Sequence, residues 1–129
     1  MRHTEPDLID MPPEMKERLL AFREAHHGES LGPVANTVIF EDDRLRVWEM
    51  VLEPGDRSAL HHHEHDYYLA ILSGDQIAGI PPKDSGQDPF LCVVPEDGNF
   101  VPIPKGGTEW AFNVGTKTYR EILIELKQS

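Results

Sequence analysis

Four of the seven histidines lie within five consecutive positions, at His61, His62, His63 and His65. If this segment is a strand, alternate side chains share a face, so His61 and His63 point together while His62 points away. Two neighbouring imidazoles form a clamp for a metal ion, because neutral imidazole is the commonest metal-binding side chain. The alternative is that the segment is a solvated, histidine-rich turn. The cluster is not a purification tag, because it lies inside the sequence.

The elements around this cluster have the pattern of short strands. From residue 34 onward, apolar and β-branched stretches alternate with Pro, Gly and Asp, which are turn-forming residues. This spacing is typical of a closed β-sandwich or jelly-roll barrel. We predict strands at residues 34–40, 45–52, 59–63, 67–73, 76–80, 90–95, 100–103, 109–114 and 119–126.

The start of the chain has a different pattern. Pro12 and Pro13 suit a first helical turn, and Gly28 suits a helix end. Apolar residues recur between them at helical spacing, namely Met15, Leu19, Leu20 and Phe22. We predict an N-terminal extension with an amphipathic helix, residues 1–31, followed by a single barrel domain, residues 32–129. The helix packs on the barrel or on a partner subunit, since its polar face is mixed in sign rather than basic.

Composition excludes several classes of partner. The 23 acidic and 12 basic residues give a formal net charge of −11, which disfavours nucleic acid and anionic membrane surfaces. The apolar runs are strand-sized, far short of the ~20 residues of a membrane span. No signal-peptide core is present, and the lone Cys92 cannot form an internal disulfide, so we expect a cytoplasmic protein. Cys92 reads as a buried strand residue rather than a catalytic thiol.

The histidine cluster and the residues that follow it resemble the cupin superfamily, whose motifs are G(X)5HXH(X)3–4E(X)6G and G(X)5PXG(X)2H(X)3N. The first motif is matched by Gly55, His61, His63 and Gly74. The second motif is matched by Gly98, Pro104, Gly106 and Asn113. All the intervals fit. The resemblance implies an all-β fold, a cupin jelly-roll β-barrel with a short N-terminal helix.

Two metal-ligand positions depart from the cupin pattern. Tyr67 stands where the first motif has its glutamate, and Glu109 stands where the second motif has its histidine. Carrying the cupin ligands over gives His61, His63 and Glu109, although Glu109 is alternatively a surface carboxylate. Such a set is typical of non-haem Fe(II), while Mn, Ni or Zn also fit, so we expect one divalent ion per chain. Tyr67 is a fourth ligand or, as we favour for a phenol of pKa ~10, a catalytic hydrogen-bonding group.

Three further residues are predicted to contact substrate. Strand alternation puts Arg46 on the face of Trp48, where its guanidinium would bind a carboxylate of the substrate. The alternative is that Arg46 pairs with an acidic residue at the surface. His65 is predicted to line the entrance of the site, and the alternative is that it belongs to a turn. Asn113, from the second motif, shares the face of Glu109.

A closer resemblance covers much of the barrel. The segments Arg46–Met50, Asp66–Tyr68, Gly106–Glu109 and Arg120–Lys127 are similar to those of small cupins associated with beta-alanine degradation. The leading hypothesis is a dioxygenase-like metalloenzyme for a small oxygenated organic acid. The alternatives are a non-catalytic cupin that binds a small molecule or metal as a sensor or accessory protein, or a metal-dependent isomerase or lyase.

A homodimer is also predicted. Trp110 and Phe112 take the strand face opposite to Glu109, so they would form an apolar outer surface. A partner subunit or the N-terminal helix would cover that surface.

Overall fold

The computed structural model describes Met1 and residues 4–129, which form short strands and one α-helix. The strands are β1 (Leu8–Ile9), β2 (Thr37–Glu41), β3 (Leu45–Leu52), β4 (His61–His62), β5 (Tyr67–Ser73), β6 (Gln76–Ile80), β7 (Phe90–Val93), β8 (Asn99–Ile103), β9 (Thr108–Phe112) and β10 (Tyr119–Leu126). Helix α1 spans Pro13–Ala25, and a 3₁₀ turn spans Lys83–Ser85. The nine strands predicted from sequence are present, four with the predicted bounds and five with shifted ends, while β1 was not predicted.

The strands form two five-stranded antiparallel sheets. One sheet has the order β1-β7-β6-β9-β4, and the other has the order β2-β3-β10-β5-β8. Within the described residues no strand pair joins the two sheets, so the predicted closed barrel is observed as a two-sheet arrangement. This arrangement is consistent with a jelly roll.

The main core lies between the two sheets because strand alternation points one face of each sheet inward. In β3, Met50 and Leu52 are buried while Val51 between them is exposed. They pack with Ile71, Ile77 and other apolar residues from both sheets. This shared core holds the two sheets face to face and thereby fixes the strands that present the site.

Helix α1 covers the outer face of β9. Leu19 and Trp110 are buried together, and the Phe22 ring meets the rings of Trp110 and Phe112 edge-on, at centroid distances of 5.4 and 5.5 Å. The helix therefore packs on the barrel of its own chain, which is the first of the two positions predicted for it.

The predicted homodimer stays a prediction. None of the described helices has the length and apolar character needed to cross a membrane.

The same helix holds the loop that follows β6. Arg23 Nη1 donates hydrogen bonds to the carbonyl oxygens of Gln87, at 2.8 Å, and Pro81, at 3.3 Å. An exposed ion pair joins Lys83 to Glu24 at 2.9 Å. Because Pro81 and Gln87 line the internal cavity described below, the helix positions part of the cavity wall.

Candidate metal centre

Three side chains with metal-binding atoms converge on the inner face of the first sheet. His61 in β4 lies directly opposite Glu109 in β9, and His63 follows two residues later on the same side. One ligand atom from each of the three lies within 4.8 Å of the others. His61 and His63 are only 2% and 3% exposed, while His62 is exposed and hydrogen-bonds Thr108 Oγ1 at 2.6 Å.

The imidazole of His61 is held in a defined orientation. Its Nδ1 lies 2.9 Å from the carbonyl oxygen of Ala59 and 3.3 Å from Ser58 Oγ. A carbonyl oxygen only accepts, so Nδ1 carries the hydrogen and the lone pair is on Nε2. Burial lowers the pKa of His61 and so favours the neutral ring. A neutral ring fixed by such a bond is the form that binds a metal ion.

His63 is also neutral, and its ring is stacked on Tyr67. The ring centroids are 4.0 Å apart and the planes differ by 15°. Burial, with smaller contributions from the charges of His61 and His62, lowers the pKa of His63 to about 3. Its Nδ1 is buried without a hydrogen-bond partner in the described structure. A second neutral imidazole therefore stands beside the first.

Glu109 completes the group as a carboxylate without a cationic partner among the described residues. Burial, reinforced by the charge of Glu121, raises the pKa of Glu109 to about 7. The side chain keeps some accessible surface because it lines a partly open cavity between the sheets. A buried carboxylate is costly without a counter-charge, and a divalent ion supplies one. The donor set and the uncompensated carboxylate fit a metal ion.

Gly79 provides the space that Glu109 occupies. A Cβ atom at this position would overlap the ring of Phe90 and come within 2.8 Å of Glu109 Oε2. Gly79 lies in β6 opposite Ala111 of β9, next to the ligand-bearing part of that strand. Its missing side chain is therefore part of the site.

The site opens into a cavity of about 460 Å³ between the sheets. Its volume lies within the range of small-molecule sites, ~300–1,000 Å³. Most of its lining is apolar, including Leu69, Ile71, Ile77, Val94, Val101 and Ile103. The charged lining residues among those described are all acidic, namely Asp7, Glu109 and Glu121. The cavity is thus a mainly apolar chamber with a metal-binding group in its wall.

Tyr67 lies in this wall with its ring buried. Burial, together with the nearby charges of Glu109 and Glu121, raises the pKa of Tyr67 far above its ordinary value, so the phenol stays protonated. Its hydroxyl has no hydrogen-bond partner among the described residues. Tyr67 is therefore placed to donate a hydrogen bond into the cavity.

Arg46 lies away from the cavity. Its guanidinium pairs with Glu41 at 3.0 Å and approaches Glu125 at 3.8 Å. Trp48 shares this strand face and donates from Nε1 to Glu125 Oε1 at 2.5 Å. The structure thus shows the alternative arrangement weighed for Arg46, pairing with neighbouring acids.

His65 and Asn113 are also absent from the described cavity lining. His65 is half-buried, and its Nδ1 is buried without a partner in the described structure. Asn113 is 1% exposed and donates to the carbonyl oxygens of Leu52 and Lys117, at 2.8 and 2.9 Å, while its Oδ1 accepts from the Gly115 N–H at 2.9 Å. The Asn113 amide therefore ties two loops together.

Sequence analysis missed an acid–phenol pair in the cavity wall. Glu121 is 5% exposed, and its Oε1 accepts the hydroxyl hydrogen of Tyr119 at 2.6 Å. The signal was present in the alternation of β10, which puts Glu121 between Tyr119 and Leu123 on the buried face.

Cys92 also lines the cavity, and burial raises its pKa to about 11, so its thiol stays protonated.

Comparison with solved structures shows which fold this is. A cupin domain from Bordetella pertussis Tohama I matches with a TM-score of 0.62 and 19% identity, over 77% of this chain and 98% of that one. The chain has a cupin fold. An RmlC-like cupin with a double-stranded β-helix fold, from Methanocaldococcus jannaschii, matches with a TM-score of 0.52 and 16% identity, over 74% of this chain and 93% of that one.

A third match to the cupin fold is a conserved protein with a double-stranded β-helix domain from Klebsiella pneumoniae subsp. pneumoniae MGH 78578. Its TM-score is 0.55 at 19% identity, over 81% of this chain and 85% of that one. No protein-family model matches the sequence, and no curated protein matches it significantly. At these identities the structural likeness establishes the fold.

The fold also explains one glycine of the second cupin motif. Gly98 has a φ angle of 82°, and a Cβ there would lie 2.5 Å from the carbonyl oxygen of Ile71. Both the backbone conformation and the close approach require glycine. The turn before β8 therefore depends on this residue.

Proposed function

We propose that this cupin is a dioxygenase-like metalloenzyme that binds one divalent ion through His61, His63 and Glu109. The observation that supports the proposal is the convergence of three ligand atoms within 4.8 Å at a cavity that His63 and Glu109 line. Two histidines and one carboxylate leave coordination positions open and are the ligand set of non-haem Fe(II). Fe is therefore the first choice of metal, with Mn, Ni and Zn as alternatives.

The protein side chains have separate tasks in this proposal. A bound ion would supply Lewis-acid or redox chemistry to a small molecule in the cavity. Tyr67, protonated and facing the cavity, donates a hydrogen bond that orients that molecule. The apolar walls exclude water and strengthen the polar interactions inside.

The positioning of the ligands also supports the proposal. His61 is oriented by Ala59 and Ser58, and the carboxylate of Glu109 fills the space left by Gly79. Such supports fix ring and carboxylate orientation before a ligand arrives, which lowers the cost of organising the site. A solvated histidine-rich turn would not bury both rings.

An open coordination position is the property that separates an enzyme from a purely metal-binding protein. We would reconstitute the metal-free protein with Co(II) and follow its visible absorption while azide, a small anionic ligand, is added. The expected result is a spectral change that saturates with azide, in wild type and equally in His62→Ala. The Glu109→Ala variant should bind Co(II) more weakly.

Two other results would redirect the proposal. A Co(II) spectrum that does not change when azide is added would indicate a closed coordination shell and favour a non-catalytic sensor or accessory protein. A site that binds azide in a protein that never consumes dioxygen would favour isomerase or lyase chemistry on the same ion.

A further inference from the structure

The cavity contains a second polar group that the proposed metal site does not use. Glu121 in β10 is nine-tenths buried and lines the cavity, and its single hydrogen bond within the described structure is the one that Oε1 accepts from Tyr119. The other carboxylate oxygen, Oε2, has no protein donor there. Burial raises the pKa of Glu121 to about 7, and when the group is ionised this oxygen needs a hydrogen-bond donor, which a molecule in the cavity would supply.

Glu121 and the metal-binding group enter the cavity from opposite sides. Glu109 is carried by β9 of the first sheet, whereas Glu121 is carried by β10 of the second. The charge of Glu121 raises the pKa of Glu109, so the two carboxylates are close enough to interact electrostatically. The rest of the cavity wall consists mainly of aliphatic side chains such as Leu69, Ile71 and Ile77.

The charges of the lining disfavour a free carboxylate at the end of the cavity that Glu121 lines. The described lining contains no lysine or arginine, and its neutral histidine, His63, faces the proposed metal position. Asn99 also lines the cavity, but its amide is occupied by the Glu5 carbonyl and the Phe100 N–H, at 3.0 and 2.9 Å. A carboxylate at the Glu121 end would thus meet an acidic group without a basic side chain to receive it, and only a metal ion at the other end would supply a positive charge.

We infer, building on the proposed metalloenzyme, that the substrate is a small, largely apolar molecule with a hydroxyl or amine group, whose hydrogen Glu121 accepts while its other end faces the metal-binding residues. The class differs from the organic acid predicted from sequence. The apolar walls contact the body of this molecule, and Tyr119 holds the Glu121 carboxylate in position. Glu121 is then a specificity-determining residue.

Three probes with one common ring test this inference. Benzylamine and benzyl alcohol carry a donor, and benzoate carries an anion in its place. Their affinities would be measured by isothermal titration calorimetry on the protein as purified and on Glu121→Gln, with the bound metal determined for every sample. Glu125→Gln is the matched control, because Glu125 is also buried in β10 but is absent from the described cavity lining.

In samples freed of metal with a chelator, where no ion can hold an anion, the expected result is that wild type binds both donor probes at least ~10-fold more tightly than benzoate. Glu121→Gln should weaken benzylamine binding by ~10-fold or more, and Glu125→Gln should not change it. Tightest binding of benzoate to wild type, or unchanged benzylamine affinity in folded Glu121→Gln, would overturn the inference. If Glu121→Gln does not fold, the wild-type order of the probes still decides.

The metal measurements separate this inference from the proposed function. A protein without bound metal that still prefers the donor probes would contradict only the metalloenzyme. A protein that is purified with its metal but prefers benzoate once the metal is removed would contradict only the substrate class.

Discussion

His61 and Glu109 lie directly opposite each other in the antiparallel pair formed by β4 and β9. Opposed residues in such a pair have Cβ atoms ~4.5–5.5 Å apart and point to the same side of the sheet. The backbone register therefore brings an imidazole and a carboxylate together before any ligand is present. A slip of one residue would point Glu109 to the outer face and dismantle the site.

Gly79→Ala tests whether the space beside Glu109 is needed for metal binding. The added methyl group would collide with Phe90 and the Glu109 carboxylate, so we expect metal affinity to fall by ~10-fold or more. Gly107→Ala is the control, since a Cβ there meets nothing within 4 Å. Competition with a chromogenic chelator gives both affinities. Equal affinities in the two variants would mean that Gly79 does not shape the site.

Tyr67→Phe separates a hydrogen-bonding phenol from a metal ligand. Because burial keeps Tyr67 protonated, we expect the variant to retain its metal within about twofold in affinity, and the stacking on His63 is preserved. The wild-type Fe(III) form should then show no visible phenolate-to-iron charge-transfer band. A band that disappears in Tyr67→Phe would show that the phenolate coordinates the metal.

Asn113→Ala should act on stability rather than on ligand binding. The substitution removes two donated hydrogen bonds and one accepted one and leaves buried backbone groups without partners. We expect a loss of about 2–4 kcal/mol in the free energy of unfolding, measured by urea denaturation. The folded fraction should bind metal and the three probes as wild type does. Selective loss of probe affinity at unchanged stability would instead assign Asn113 to the ligand site.

Glu29 couples the segment after α1 to the first sheet and should make this contact sensitive to acid. Its Oε2 accepts hydrogen bonds from Trp110 Nε1 at 2.9 Å and from the Leu60 N–H at 3.3 Å, and Arg57 lies 3.3 Å away. The hydrogen bond from Trp110 is the largest of the causes that lower the pKa of Glu29 below its ordinary value of 4.5.

Since the folded pKa is the lower one, the stabilisation from Glu29 is complete above pH 4.5 and is lost as the pH falls through the folded pKa. We expect Glu29→Gln to destabilise the protein by about 1 kcal/mol at pH 7, with a difference that shrinks in acid. Denaturant unfolding of both proteins between pH 7 and pH 3 measures this. Glu24→Gln, which removes an exposed pair, should match wild type throughout. A difference that is constant over this pH range would contradict the assignment.

Local pattern predicted the strands and the direction of most side chains. The alternation of β4 correctly separated His61 and His63 from His62, because side-chain direction in a strand depends only on position. The same rule put Arg46 on the face of Trp48, but it says nothing about distance along the sheet. Arg46 lies at the end of the strand near Glu41, beyond the cavity.

Features that depend on distant parts of the chain were beyond this kind of prediction. The separation of the strands into two sheets is a property of all the pairings together, and β1 has only two residues. Glu121 was overlooked because an acidic residue in a strand usually faces solvent. The alternation of β10 indicated the buried face, and the place of β10 between β3 and β5 at the centre of its sheet shows that Glu121 is buried there.

The metal content of the purified, untagged protein tests the central claim most directly. Inductively coupled plasma mass spectrometry would be applied to wild type, to Glu109→Ala and to the control His62→Ala, whose ring is exposed and bonded to Thr108. We predict near-stoichiometric metal, with iron foremost, in wild type and in His62→Ala, and a clear loss in Glu109→Ala. Absence of bound metal from wild type, even after reconstitution, or full retention in Glu109→Ala, would contradict the proposed centre.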